Sequence, residues 1–207
     1  MNDEDAAAHR HRDKMQKRKA VQDAEVAGKT IADKGLLMVH TGPGKGKSTA
    51  AFGLVVRALG HGWKVGVVQF GKGAWETGER RALERLGAIS GDIVWHTLGE
   101  GFTWETQDRD RDIAAARKAF GAAEELMADP DVRLLVLDEL NIALRYEHLP
   151  LDEVIAALTA RRPGLHVVVT GRNARPELIA AADLVTEMTQ VKHHFAAGVK
   201  AQAGIEF

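Results

Sequence analysis

From Gly35 onward, short apolar runs alternate with stretches of helical spacing. "LLMVH" is an apolar run that ends in a glycine-rich loop, and "KSTAAFGLVVRAL" behind it reads as a helix. "KVGVVQF" (64–70) is rich in β-formers, residues 78–86 read as helix, and "DIVWHTL" (92–98) reads as a strand. "DRDRDIAAARKAFGAAEELMA" (108–128) is a long amphipathic helix with acids and bases mixed in its first turns. "RLLVLDE" (133–139) and "LHVVVTG" (165–171) are continuously apolar, the pattern of strands buried on both faces. Residues 151–161 and "RPELIAAA" read as helices, and "DLVTEMTQV" (183–191) as a last strand. Strands separated by helices predict βαβ units and a mainly parallel sheet. Right-handed crossovers then set the loops that follow the strands along one edge.

Residues 1–33 break this pattern. They are rich in helix formers and poor in large apolar residues, with six Lys/Arg against one Asp between Arg10 and Lys19. They read either as a solvated leader or as a basic helical arm that docks over an anionic site or a neighbouring subunit. The predicted organisation is an arm or leader, 1–33, followed by a nucleotide-binding domain, 34–207. A formal charge of −1 argues against a chain that coats nucleic acid. No apolar run is long enough for a membrane span, and the charged N-terminus shows no signal-peptide pattern. With no cysteine, disulfides, thiolate metal sites and a Cys nucleophile are excluded. A cytoplasmic protein without membrane or nucleic-acid partners is the expectation.

The chemistry concentrates in "TGPGKGKST". A usual phosphate loop has glycine, four residues, then Gly-Lys-Ser/Thr. Counting back from Gly46, Lys47 and Ser48, that first slot is Thr41, and the glycine stands one position later at Gly42. Gly42, Gly44 and Gly46 let backbone N–H groups turn toward an anion, and the following helix adds its positive end. Lys47 can reach phosphate oxygens and the Ser48 hydroxyl can ligate magnesium. Lys45 either touches phosphate or faces solvent. With Pro43 and Thr49, the stretch Thr41 to Thr49 is the candidate ATP-binding segment. The fold so predicted is a three-layer P-loop (RecA-like) α/β fold with a mainly parallel central sheet and an N-terminal helical arm.

Three further features belong to the same edge. "LLVLDEL" ends in Asp138 and Glu139, an acid pair that would lie near Ser48 and a magnesium ion. "GEGFTWETQ" carries Phe102 and Trp104, which an extended backbone points to one side roughly 7 Å apart, either as core or as a flat wall for a planar ligand. Arg172 follows "VVVTG" and is placed for phosphate or for solvent. His193 and His194 are adjacent with no third ligand at metal spacing, so no metal is assigned to them. No serine, histidine or lysine is set up as an activated nucleophile, so a substrate that brings its own nucleophile fits this chain.

In order along the chain, "TGPGKGKSTAAFG", "RALGHGWKVGVVQFGKG", "GFTWETQ", "LDEL", "TGR" and "VKHHFAAGVKAQAGIEF" resemble the ATP:corrinoid adenosyltransferases of the cobalamin pathway, also called cob(I)yrinic acid a,c-diamide adenosyltransferases. The resemblance covers about residues 35–207, with a looser match in the arm. It implies a reaction in which a Co(I) corrinoid attacks the 5′ carbon of ATP and the whole triphosphate leaves. It implies a shortened phosphate loop that holds the nucleotide in the reverse sense to an ordinary ATPase. By the same resemblance, Gly42 to Ser48 bind triphosphate, and Ser48 and Glu139 hold Mg2+. Phe102 and Trp104 crowd the lower corrin face and ease reduction of Co(II) to Co(I). Lys47, Phe102 and Trp104 are thus the catalytic candidates. A homodimer whose arm covers the site is also implied, as is a reducing protein partner, flavodoxin-like or a flavin reductase. Pro43 departs from the Asn that many members carry. Two other readings share the loop: a nucleotide-hydrolysing switch or motor, and a non-catalytic ATP- or corrinoid-binding carrier.

Overall fold

The computed structural model describes residues 3–31, 34–71, 78–90, 92–98 and 108–206. The expected aromatic pair, Phe102 and Trp104, lies outside the described residues. The chain divides into two units, Met1–Lys34 and Gly35–Phe207. The first is built on one helix, α1 (Asp3–Ala27), 25 residues long. Its described side chains are all exposed, which follows from a sequence without an apolar stripe. Lys19 and Asp23 pair at 2.7 Å one turn apart, worth a few tenths of a kcal/mol.

The second unit holds a six-stranded sheet with the order β3-β2-β4-β5-β1-β6. The strands are β1 (Leu37–Thr41), β2 (Lys64–Gln69), β3 (Ile93–Thr97), β4 (Val132–Asp138), β5 (His166–Thr170) and β6 (Leu184–Glu187). Every pairing among them is parallel. The crossovers run through α2 (Lys47–Gly60), α3 (Gly78–Ser90), α4 (Arg109–Ala128), α5 (Leu140–Arg145), α6 (Leu151–Thr159) and α7 (Pro176–Ala181).

Strand alternation divides the core in two. Leu134 and Val136 face Ala51, Phe52, Val55 and Leu83 from α2 and α3. Leu135 and Leu137 face Phe120, Ala123, Leu140, Val154 and Leu178 from α4 to α7. Both faces are covered, so the continuously apolar strands are explained. Each fully buried Leu or Val side chain contributes about 1.5–3 kcal/mol of burial free energy.

The expected elements are present with shifted bounds. The helix begun at residue 78 runs on to Ser90. The last strand is four residues, Leu184–Glu187, instead of the expected stretch 183–191. Its four side chains are all exposed, so no buried face extends it. The short helix α5 follows Glu139 directly and was not expected; it is as short as α7 but lacks the proline that marks the start of that helix.

Candidate functional site

The six strands end on Thr41, Gln69, Thr97, Asp138, Thr170 and Glu187, all polar. Apolar runs that close on polar residues line up these side chains along the carboxyl edge of the sheet. Asp138 is fully buried at its centre. Thr170 donates its hydroxyl to Asp138 Oδ1 at 2.8 Å, and Gln69 donates its amide to Oδ2 at 3.0 Å. Gln69 Oε1 in turn accepts from Trp95 Nε1 and Thr97 Oγ1, each at 3.1 Å. Arg80 of α3 donates to the Thr97 hydroxyl at 3.2 Å. The network ties β3, β2, β4 and β5 together just under the loops.

The glycine loop sits on this edge between β1 and α2. Gly42 and Gly46 have φ of 95° and 104°, a region that only glycine enters without strain. A Cβ on Gly42 would stand 2.5 Å from the Met188 carbonyl oxygen, and one on Gly44 2.6 Å from that of Thr189. The loop backbone therefore packs directly on the chain that leaves β6. Gly44 N–H donates to the Met188 carbonyl at 2.7 Å, and Met188 N–H to the Thr41 carbonyl at 2.8 Å. At the start of α2 no side chain caps the helix and no acid stands in the first turn. Its leading N–H groups and its positive dipole end are thus left for an anionic ligand.

Lys47 is 6% exposed. Its ammonium donates to the Gly42 carbonyl at 3.0 Å and to the Gly44 carbonyl, so it props the loop from inside. Burial pushes its pKa below the ordinary lysine value, the Glu139 carboxylate pulls it back up, and Arg172 and Lys45 push it further down. Three of the charges expected at the site, Glu139, Arg172 and Lys45, therefore act on one ammonium. Arg172 is exposed, Ser48 is half-buried in the first turn of α2, and Thr49 and Pro43 are exposed. Thr41 is buried, and its hydroxyl accepts from the Ala174 N–H at 3.0 Å. That bond ties the loop's entry to the segment after β5.

The acid pair separates into two jobs. Asp138 spends its carboxylate on Thr170 and Gln69 and holds the sheet edge. Glu139 is half-buried and takes a left-handed backbone with φ 63°, uncommon for a residue with a side chain. Its N–H donates to Thr170 Oγ1 at 3.0 Å. Its carboxylate oxygen lies 3.0 Å from where a Cβ on Gly171 would sit, and its Cβ 3.5 Å from the same point on Gly71. Two glycines thus make the room in which Glu139 stands beside the loop. Gln69, Thr97 and Thr170 were not singled out from the sequence, and the shared polar ending of the strands is the signal that marks them.

The histidine pair has a third neighbour after all. Glu206 brings a carboxylate to His193 and His194, one ligand atom from each lying within 4.8 Å of the others. Glu206 Oε1 is 3.0 Å from His194 Nε2, while Oε2 accepts from Lys45 of the loop. The Lys45 ammonium already neutralises that carboxylate, which disfavours a second cation there. Among the described residues, no helix is long and apolar enough to cross a membrane.

Comparison with known proteins adds the chemistry. Residues 33–207 match the family described as ATP:corrinoid adenosyltransferase BtuR/CobO/CobP, and residues 1–26 match the cob(I)alamin adenosyltransferase N terminal. The chain is 56% identical to a corrinoid adenosyltransferase of Pseudomonas aeruginosa across the full length of both. It is 52% identical to one from Sinorhizobium sp, over 96% of this chain and 92% of that one. It is 46% identical to the corrinoid adenosyltransferase CobA of Salmonella typhimurium, over 96% and 98%. Among solved structures, the flagellar accessory protein FlaH of Methanocaldococcus jannaschii aligns with a TM-score of 0.48 at 10% identity, over 77% of this chain and 73% of that one, too distant to bear on function.

Proposed function

The chain belongs to the ATP:corrinoid adenosyltransferase family, and we propose that its loop from Gly42 to Ser48 serves that reaction by holding ATP's triphosphate as a leaving group. The enzyme adenosylates corrinoids at the expense of ATP, in cobalamin metabolism. The observation that carries the loop's role is the buried Lys47, set among the Gly42 and Gly44 carbonyls in the field of Glu139 and Arg172. When the 5′ carbon of the ribose leaves the triphosphate for the cobalt of the substrate, negative charge grows on the oxygen left behind. Lys47, held by the Gly42 and Gly44 carbonyls, and the N–H groups at the head of α2 are in place before the reaction begins, so they stabilise that charge with little reorganisation, and Arg172 adds its charge nearby. Holding the ribose carbon against the corrin is the protein's other contribution, by proximity. No protein base is required, since the reduced cobalt is itself the nucleophile.

Magnesium fits the residues at hand. The Ser48 hydroxyl and the Glu139 carboxylate are hard oxygen donors, and the pull of Glu139 on the Lys47 ammonium puts its charge beside the loop. Those two residues would hold the ion, whose chemistry is to neutralise phosphate charge. Phe102 and Trp104 carry the corrin-facing role, crowding the lower face so that the axial ligand is lost and Co(II) is reduced more readily. The reading extends to a homodimer in the cytoplasm and a flavodoxin-like protein or flavin reductase as reducing partner.

Two experiments test this. Mixed anaerobically with ATP, magnesium and a chemically reduced corrinoid, the protein should yield a light-sensitive alkylated corrinoid and triphosphate. ADP and phosphate would instead reveal a hydrolase, and a spectral shift without alkylation a carrier. With Phe102→Ala and Trp104→Ala together, turnover from a Co(I) start should be largely kept, while turnover from Co(II) with a mild reductant falls steeply. Equal fractional losses from both starts in a folded protein would remove the redox role from the two rings.

A further inference from the structure

Lys45, in the middle of the phosphate loop, is held by a carboxylate from 161 residues further along the chain. Glu206 Oε2 accepts from the Lys45 ammonium, and Glu206 Oε1 pairs with His194 Nε2 at 3.0 Å. The His194 ring is stacked on His193 with centroids 4.7 Å apart, and His193 Nδ1 accepts the Phe195 N–H at 3.1 Å. These contacts fix the histidines at the head of a 3-10 helix, His194–Ala197. The Glu206 side chain is 15% exposed and that of Lys45 51%, so the carboxylate is the more enclosed of the two partners. The Glu206 carboxyl is held below the usual range, first by the hydrogen bond from Lys45 and then, against some desolvation, by the charges of Lys45, His194 and His193. It is therefore an anion in the free protein at neutral pH.

A carboxylate pairs with a loop lysine as a phosphate oxygen would. The reaction makes this occupancy matter. A kinase or hydrolase breaks the polyphosphate and so weakens its own hold on the product. Here the leaving group is the whole triphosphate, and every contact that bound it as part of ATP survives the chemistry. We propose that Glu206 is a positioning residue of the nucleotide site, holding Lys45 in the free enzyme, yielding it to bound polyphosphate, and reclaiming it as triphosphate leaves. The proposal rests on the reading that the loop binds triphosphate. Glu206 is tethered, so it competes for Lys45 at a constant effective concentration whatever the level of nucleotide. His194 keeps the carboxylate in place while the lysine is away. No bond is made or broken in this exchange; one ion pair replaces another.

The test is a set of binding measurements on the full chain, with inorganic triphosphate and ATP as probes in the presence of magnesium. Glu206→Gln removes the charge and leaves the shape. It should tighten both ligands about two- to fivefold, the range expected from an exposed ion pair that no longer has to be broken. Lys45→Ala should weaken both. In the Lys45→Ala background, adding Glu206→Gln should change nothing further, because the exchange has lost its lysine. An effect of the same size in both backgrounds would mean that Glu206 acts only as a nearby negative charge, and would overturn the proposal. Unchanged or weaker binding by folded Glu206→Gln would overturn it too. Glu206→Ser carries the same test if Glu206→Gln does not fold. Lys47→Ala, measured alongside, separates the two readings: triphosphate binding that ignores Lys47 sinks the loop's role itself. Loss of binding in Lys47→Ala together with a silent Glu206→Gln sinks the exchange alone.

Discussion

Lys47→Ala should lower turnover from a chemically reduced Co(I) corrinoid by about 10²–10³-fold while the protein stays folded. The estimate follows from position. Lys47 is 6% exposed and its ammonium lies inside the glycine loop, bonded to the Gly42 and Gly44 carbonyls. Truncation removes the buried cation that the proposed reading sets against the leaving group and also the prop that shapes the loop. The fold should survive because Lys47 stands at the first residue of α2, at the rim of the core and not within it. Steady-state turnover with ATP and Co(I) corrinoid, paired with circular dichroism, gives the answer. Near-normal turnover by a folded variant would take the loop out of the mechanism. Glu139→Gln is the companion measurement. It keeps the shape between Gly71 and Gly171 and removes the charge, so a loss of turnover with preserved stability assigns Glu139 to the site.

Asp138→Ala should instead fail in stability, by about 3–5 kcal/mol. Asp138 is fully buried, and so in effect are its donors, with Gln69 2% and Thr170 0% exposed. Taking the carboxylate away leaves two buried donors without an acceptor, and an orphaned buried donor costs about 1–3 kcal/mol. The damage reaches the reaction by a second route. Thr170 Oγ1, which donates to Asp138, also receives the Glu139 N–H at 3.0 Å and so anchors the left-handed turn that aims Glu139. Urea unfolding measures the first effect. Turnover per folded molecule, at a temperature where the variant is still native, measures the second. A loss below about 1 kcal/mol would show that Gln69 and Thr170 find other partners.

What could be read beforehand divides by range along the chain. The glycine loop was legible because its information is local: three glycines, two lysines and a serine within seven residues, with a strand before and a helix after. The central strands were legible because a sheet covered on both faces demands unbroken apolar runs, as in "LLVLD" and "HVVVT". The acid pair was legible as a pair but not as two roles. Only the neighbouring strands show that Asp138 belongs to Gln69 and Thr170, residues 69 and 32 positions away. The link from Glu206 to Lys45 was out of reach altogether, since no local pattern encodes a contact of that separation. Helix α5 was lost for another reason: it is as short as α7 but has no proline at its start to announce it.

The edge strand β6 has a place in time as well as in space. All four of its side chains are exposed, with Leu184 at 48% and Val185 at 38%, so it brings less apolar surface to the sheet than the inner strands, and a strand without a fully buried face has little of its own to fix its register. Main-chain bonds set it: Asp183 N–H to the Leu37 carbonyl, Met188 N–H to the Thr41 carbonyl, and Gly44 N–H to the Met188 carbonyl. The strands from β1 to β5 can bury their cores on both faces before it arrives. Strand β6 is therefore expected to dock after the strands inside the sheet and to open before them. Since the glycine loop leans on Met188 and Thr189, it reaches its final shape only with that last docking. A nascent chain whose sheet is otherwise assembled, but which has not yet emerged past Glu187, would still be unable to close its loop around a nucleotide.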